Sequence, residues 1–270
     1  MKRRVIRLAL IGENVQRSFS PKIHKFIFDK FGIDCEYELV SVEERNFHDA
    51  VTRLTGDFDG FNVTIPYKRD IMEYLDEISS DAFAIGSVNT VVCNGKKGYN
   101  TDLVGLACSL KLAGVELKAK RVLIVGAGGA GRSVAKLFKD GGAKVWAYRR
   151  DKEKLKEFCL QLGVNECLDL KTGEYDIIVN ASGVGSKVAV GTSPITGKAF
   201  DGATWGIDLA YNPSETEFLR LAKERGVKTL NGYAMLFYQA YYADCLYLNI
   251  EPSEKQADEL YNQFVKEVSL

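Results

Sequence analysis

Residues 122–131, reading VLIVGAGGAG, constrain the fold of this 270-residue chain more than any other stretch. A short, continuously apolar run is the mark of a strand buried on both faces, as in parallel sheets covered by helices. It leads straight into glycines spaced G-x-G-x-x-G, and that spacing carries weight only where a strand precedes it and a helix follows. Val134, Leu137 and Phe138 supply the helical pattern. Gly126 permits the tight turn, Gly128 lets backbone reach a pyrophosphate, and Gly131 lets helix pack on strand. Unpaired amides at the helix start, with Ala127, Gly129 and Ala130 between the key glycines, would face the phosphates. The turn reads as a dinucleotide site. At the end of the next strand, expected over 144–148, NAD enzymes usually present a carboxylate to the ribose. Here stand Tyr148, Arg149 and Arg150, and two guanidiniums suit a 2′-phosphate, so NADP is favoured over NAD. The alternative is a solvated, charged helix start with Asp151 as its N-cap.

The rest of the chain alternates strands and helices, which predicts an α/β fold of two domains with largely parallel sheets. Residues 7–11 form a strand ending at Gly12, and Ser20-Pro21 reads as an N-cap with proline in the first turn. Ile23, Phe26, Ile27 and Phe31 then recur at helical spacing, and Cys35, Tyr37 and Leu39 alternate as a second strand. A helix carries Phe47, Val51 and Leu54. Residues 61–64 form the third strand, and the helix predicted after it presents Tyr67, Ile71 and Leu75. Asn94-Gly95 signals a hairpin between 88–93 and 97–100; a two-residue turn would set Asn89 opposite Asn100. Further strands are expected over 176–180, 205–209 and 227–230. Helices are expected around 155–162, 218–222 and 235–248, and Ser253-Glu254-Lys255-Gln256 predicts a capping box opening the last one.

Thirty-six basic and 36 acidic side chains cancel, so no global field draws the chain to nucleic acid or to an anionic membrane. Lys2, Arg3 and Arg4 precede an apolar run, but Arg7 interrupts it and Glu13 ends it, a first strand rather than a signal peptide. No apolar stretch approaches the roughly 20 residues that span a bilayer. A cytoplasmic protein is expected. The six cysteines show no metal or disulfide spacing, and no His, Cys or carboxylate grouping predicts a metal. His24 is expected to pack or cap, and His48 to be exposed.

Two polar clusters lie upstream of the glycine turn: Asn62-Val63-Thr64-Ile65-Pro66-Tyr67-Lys68 and Gly98-Tyr99-Asn100-Thr101-Asp102. A lysine and an aspartate beside a nicotinamide are the minimum for moving a proton while a hydride moves, so the chain reads as a dehydrogenase. At a helix start, the dipole and partial burial would lower the Lys68 pKa while Asp102 pulled the other way.

Together these segments resemble the shikimate dehydrogenase family. The match runs in order through Ser18-Phe19-Ser20-Pro21 with Ile23-His24, the 62–68 run, Gly86-Ser87-Val88-Asn89-Thr90, the 99–102 run, the glycine turn, and Met235-Leu236 with Gln239-Ala240. The resemblance covers nearly the whole chain. It implies reversible NADPH-dependent reduction of 3-dehydroshikimate to shikimate, by a monomer or homodimer. It also implies a substrate domain of residues 1–104 plus 235–270 around an NADP-binding Rossmann domain of residues 105–234. Ser18 and Ser20 would hold the substrate carboxylate. Asn62, Thr64, Asn89, Asp102 and Gln239 would bind hydroxyls or carboxylate, and Tyr211 would border the ring. Lys68 and Asp102 would carry catalysis, the formal base being open between them. Ser182, Leu209, Gly232 and Met235 would join the glycine turn at the cofactor. Ser182 stands where the family usually has threonine, Tyr148 and Arg150 where it often has Asn and Thr, and Ala234 replaces a usual glycine. Two alternatives stay open: a quinate or aminoshikimate dehydrogenase using NAD or both cofactors, and a non-catalytic sensor of shikimate or NADPH. An intact Lys68 and Asp102 argue against the sensor.

Overall fold

The computed structural model describes residues 4–170, 174–186 and 189–268; the basic residues Lys2 and Arg3 lie outside them. Two compact units form, one from Met1–Gly105 with Phe237–Leu270 and one from Leu106–Leu236.

The first unit contains β1 (Ile6–Gly12), α1 (Ser20–Phe31), β2 (Cys35–Ser41), α2 (Phe47–Asp57), β3 (Gly60–Val63), β4 (Glu77–Ile78), α3 (Ser80–Ile85), β5 (Thr90–Val92) and β6 (Lys97–Tyr99). Its sheet runs β2-β1-β3-β5-β6-β4. β1 pairs parallel with β2 and β3, and β4 with β6, whereas β5 is antiparallel to both of its neighbours. Side chains on β1 alternate between two cores, as the two-residue strand period demands. Ala9 and Ile11 join Phe47, Val51 and Leu54 of α2, while Leu8 packs with Phe28, Ala243 and Tyr247. In the hairpin, Lys96 N–H bonds Cys93 O at 3.1 Å, and Thr90 faces Tyr99. Continuing that register sets Asn89 opposite Asn100.

Three local expectations are corrected. Ser20 is the first residue of α1, not its cap; Phe19 holds the cap position with no side-chain bond, and Ser18 Oγ instead accepts from Ser20 N at 3.2 Å. The segment after β3 turns through residues 65–69 into a short 3-10 helix, Asp70–Tyr74, with Leu75 already extended. The Lys68 carbonyl accepts from Val88 N at 2.8 Å, and Met72 N turns to Arg69 O, so the α-helical bond from Met72 to Lys68 is lost. Lys68 therefore starts no α-helix. At the last helix, Ser253 caps Gln256 N as expected, but the return arm of the box runs through Tyr241, whose hydroxyl accepts from Ser253 N and donates to Gln256 Oε1.

α4 (Thr101–Ala113) carries the chain into the second unit. There follow β7 (Arg121–Val125), α5 (Gly129–Asp140), β8 (Lys144–Tyr148), α6 (Lys152–Leu162), β9 (Asn165–Glu166), β10 (Ile177–Asn180), β11 (Trp205–Asp208), α7 (Glu217–Glu224) and β12 (Lys228–Leu230). The sheet is wholly parallel, in the order β12-β11-β10-β7-β8-β9. The chain thus builds outward from β7 on one side, then crosses to β10 and builds outward on the other. Doubly wound sheets bind ligands at this reversal, beyond the carboxyl ends of the strands. α8 (Tyr233–Leu248) returns to the first unit, and α9 (Glu254–Glu267) ends the described chain.

Candidate active site

In the first unit, Asn89 is the hub of a buried polar network. It follows directly from the sheet, since the residue before β5 meets the start of α4 in the continued hairpin register. Its Nδ2 donates to Asp102 Oδ1 at 3.0 Å and lies 3.1 Å from Thr101 Oγ1 and 3.4 Å from Gln239 Oε1. Its Oδ1 accepts from Thr101 N at 2.7 Å and from Thr90 Oγ1 at 3.0 Å. Asn100 fixes the start of α4 by accepting from Leu103 N, and its amide donates to Ser87 O. Asp102 is thereby held on one side by Asn89. On the other, Lys68 Nζ donates to its Oδ2 at 2.5 Å, with 14 and 9 % of the two side chains exposed. The ammonium is both anchored and reachable, the arrangement needed to pass a proton to a bound oxygen.

Asn62, at the end of β3, extends the network. Its Nδ2 donates to Thr90 Oγ1 at 3.2 Å, and its Oδ1 accepts from Tyr37 OH at 2.8 Å. Ser18 and Ser20 are hydroxyl to hydroxyl at 3.1 Å. Thr64 packs its methyl against Gly12, where a Cβ would lie 2.5 Å from it. The sequence reading assigned no role to Tyr37, Thr90 or Thr101; Thr90 and Thr101 lie inside the quoted motifs, and their flanking asparagines were the only signal.

In the second unit the register aligns Val125, Tyr148, Asn180 and Asp208 at the carboxyl edge of the sheet. Gly126, Arg149, Ser182 and Leu209 therefore follow at one edge. Gly126 has φ +111°, and a Cβ there would strike Ser182 N at 2.6 Å. A Cβ on Gly131 would lie 2.4 Å from Gly126 O, whereas one on Gly128 meets no atom within 4 Å among the described residues beyond its chain neighbours. The first and third glycines thus serve packing, and the second faces open space. Gly128 caps α5 with no side-chain bond, so the first-turn amides of a 12-residue helix lack a side-chain acceptor there. Arg149 reaches back to Ala127 O at 3.2 Å, and Arg150 is exposed. Asp151 caps α6 through Lys154 N.

Behind this edge stands a carboxylate that sequence reasoning missed. Buried Asp208 accepts from Asn180 Nδ2 at 2.9 Å, Thr216 Oγ1 at 2.7 Å and Ala210 N at 2.9 Å. Burial raises its pKa, and those three bonds oppose the rise. Asn180 Oδ1 in turn accepts from Ser182 N and Oγ at 3.1 and 2.6 Å. Gly232 lies against Leu209, its added Cβ falling 2.0 Å from Leu209 O. Met235 is buried in the apolar cluster with Ile124, Val179 and Ile207, and Tyr211 is half-buried.

Among the described residues no group of three or more His, Cys, Asp or Glu side chains could hold a metal ion, and no helix is long and apolar enough to cross a membrane. All six cysteines are free. His24 is fully buried, its Nδ1 2.6 Å from Asp244 Oδ1.

A doubly wound sheet with an open glycine turn at its reversal, joined in one chain to an anchored lysine–carboxylate pair, defines the class: a two-domain dehydrogenase using a nicotinamide dinucleotide. Comparison with known proteins narrows this. Residues 10–91 match the shikimate dehydrogenase substrate binding domain, and residues 99–182 match the D-isomer specific 2-hydroxyacid dehydrogenase NAD binding domain. Shikimate dehydrogenase (NADP(+)) of Caldicellulosiruptor saccharolyticus is 40 % identical over 261 residues, covering 90 % of this chain and 92 % of that protein. Shikimate dehydrogenase 1 from Peptoclostridium difficile superposes with a TM-score of 0.87 at 34 % identity, over 97 % of this chain and 98 % of its own. The Thermus thermophilus enzyme in complex with NADP(H) and shikimate gives 0.86 at 32 %, over 96 and 99 %. The chain belongs to the shikimate dehydrogenase (NADP+) family, with a substrate domain and a Rossmann-like NAD(P)-binding domain.

Proposed function

We infer that this protein catalyses the reversible NADPH-dependent reduction of 3-dehydroshikimate to shikimate, in the route to chorismate and the aromatic amino acids. The observation that carries the reading is the Lys68–Asp102 pair held by Asn89. The second unit suits NADP. Gly128 leaves room for a pyrophosphate, the uncapped start of α5 offers it amides, and Arg149 with Arg150 offers guanidiniums for the 2′-phosphate. Gly126, Ala127, Gly129 and Ala130 would complete the cradle, with Tyr148, Ser182, Leu209, Gly232 and Met235 around it. When bound, the cofactor supplies or accepts the hydride.

The proton is the protein's task. Lys68 donates it to the C3 oxygen on reduction, and Asp102 orients the ammonium and accepts a hydrogen bond from a substrate hydroxyl. Because the two Asn89 amide protons are shared among Asp102, Thr101 and Gln239, its position is fixed before substrate arrives, which spares reorganisation on binding. Asn62, Thr64 and Gln239 bind the remaining hydroxyls, Ser18 and Ser20 hold the carboxylate, and Tyr211 borders the ring. Free cysteines, three of them buried, accord with a reducing cytoplasm, where the enzyme acts as a monomer or homodimer. NADPH absorbance, followed with shikimate and quinate in parallel under NADP and NAD, tests the assignment. Turnover with shikimate and NADP is expected; turnover with quinate alone would replace the substrate, and none with either would remove the enzyme reading.

A further inference from the structure

Behind the substrate-facing network lies a buried ionisable pair that the reaction does not use. His24 of α1 and Asp244 of α8 are both fully buried and meet at 2.6 Å. Among the described residues, His24 Nε2, Asp244 Oδ2 and the nearby Tyr247 OH have no hydrogen-bond partner. Such a pair is expensive. Desolvating two ionisable groups is offset only where the remaining polar atoms are also satisfied, and an apolar pair of the same volume commonly serves stability as well or better. Stability therefore gives no reason for it.

Geometry does. The His24 ring is stacked on Tyr37, with centroids 4.5 Å apart and planes 17° from parallel. Tyr37 projects from β2, and its hydroxyl donates to Asn62 Oδ1 at 2.8 Å. The Asn89 carbonyl can only accept, so it takes the Asn62 Nδ2 side and leaves Oδ1 as the acceptor for the phenol. With Oδ1 held by the phenol, Nδ2 points to Thr90 Oγ1 and Asn89 O, 3.2 and 3.3 Å away. One phenol thus donates to a residue assigned to substrate, and its ring is stacked on the imidazole of the buried pair.

We propose that Tyr37 is a positioning residue for substrate binding, and that the His24–Asp244 pair acts on the site through its ring. The proposal rests on the shikimate reading of the Lys68–Asp102 site. It predicts a defect in ground-state binding of one substrate. Tyr37→Phe keeps the stacked ring and removes only the hydroxyl, leaving Asn62 Oδ1 without its donor. A hydrogen bond of ordinary net strength corresponds to roughly a two- to tenfold change in an equilibrium. KM for shikimate should rise by about that factor, with kcat within about twofold and KM for NADP and the thermal midpoint unchanged.

The second arm is a double-mutant cycle. Asp244→Asn loosens the pair, and His24→Gln keeps a donor for Asp244 while removing the ring beneath Tyr37. Each should raise KM for shikimate in the wild-type background and add nothing in the Tyr37→Phe background, because residues acting through one contact are not additive. Steady-state kinetics of the full-length wild type and each variant, varying shikimate and NADP separately, decide the matter. An unchanged shikimate KM in Tyr37→Phe, or an equal rise in both KM values, overturns the role of Tyr37. Full additivity in the cycle overturns the role of the pair. A wild type that does not oxidise shikimate overturns the functional reading, and this inference with it, whereas a wild type that does leaves any failure of the variants to the inference alone.

Discussion

Asp102→Asn is the change that most sharply tests the proposed chemistry, because the structure leaves the new amide no good orientation. Asp102 accepts on both oxygens, from Asn89 Nδ2 on one side and Lys68 Nζ on the other. An asparagine must turn its own NH2 toward one of them. Facing Lys68, it sets donor against ammonium; facing Asn89, it sets donor against donor. Asn89 cannot rotate to relieve the second conflict, since its Oδ1 is committed to Thr101 N at 2.7 Å. At least one hydrogen bond is lost, and the bond to Lys68 loses its charge. A charge-assisted hydrogen bond contributes about 1.5–3 kcal/mol, or roughly ten- to 150-fold. Misplacing the proton donor adds the usual contribution of acid–base catalysis, about 10²–10⁴ in rate. We expect kcat/KM for shikimate to fall by about 10²–10⁴, with a higher KM, in a protein whose circular dichroism matches the wild type. A folded Asp102→Asn within about threefold of the wild-type kcat/KM would refute the reasoning.

Lys68→Ala should keep the fold and much of the shikimate affinity while kcat drops by about 10²–10⁴, measured by steady-state kinetics; an undiminished rate removes Lys68 from the mechanism. Replacing Arg149 and Arg150 by neutral residues should weaken NADP far more than NAD, by about tenfold or more for each bond lost, and the wild-type preference should shrink at high salt; equal losses in titrations of both cofactors would leave the arginines a structural role. Gly131→Ala places a methyl 2.4 Å from Gly126 O, backbone that cannot move aside, so the thermal midpoint should fall and NADP affinity with it. Burial raises the Asp244 carboxyl to about 6, the His24 contact opposing. A raised folded-state pKa contributes stability below the unfolded value of about 4 and loses it as pH rises to about 6. Asp244→Asn should therefore gain on wild type across that window in denaturant titrations, and a pH-independent difference would exclude the titration.

The two units were legible for different reasons. The second is written locally: a buried strand, its glycine turn and the next helix lie within about 20 residues, and the register then places Arg149 and Ser182 without further information. In the first unit the polar residues come from β3, the residue before β5, α4 and α8, and no period links Asn62, Asn89, Asp102 and Gln239 along the chain. Resemblance supplied that set. Short elements escaped altogether: β4 is two residues long and α3 six, too few for periodicity to register. The 3-10 turn at Lys68 was hidden because it depends on Val88, 20 residues later, capturing the Lys68 carbonyl. Asp208 and Asp244 carry no local signal, since an acidic residue in an apolar run looks the same whether it meets solvent or a buried partner.

That capture of the Lys68 carbonyl also bears on function. An α-helix continuing from residue 66 would fix the lysine by local bonds alone, free to shift with its helix. Here the Lys68 backbone is tied to Val88 N, the residue next to Asn89, while its side chain is tied to Asp102, the residue Asn89 holds. Both ends of the lysine are therefore referenced to the same short stretch before β5. A displacement of that stretch moves donor, carboxylate and amide together and preserves their spacing, which is the quantity proton transfer depends on. Disrupting Asn89 should thus lower kcat as well as substrate affinity, which steady-state kinetics of Asn89→Ala would show, because it holds the carboxylate that anchors the Lys68 ammonium; an unchanged kcat would refute it.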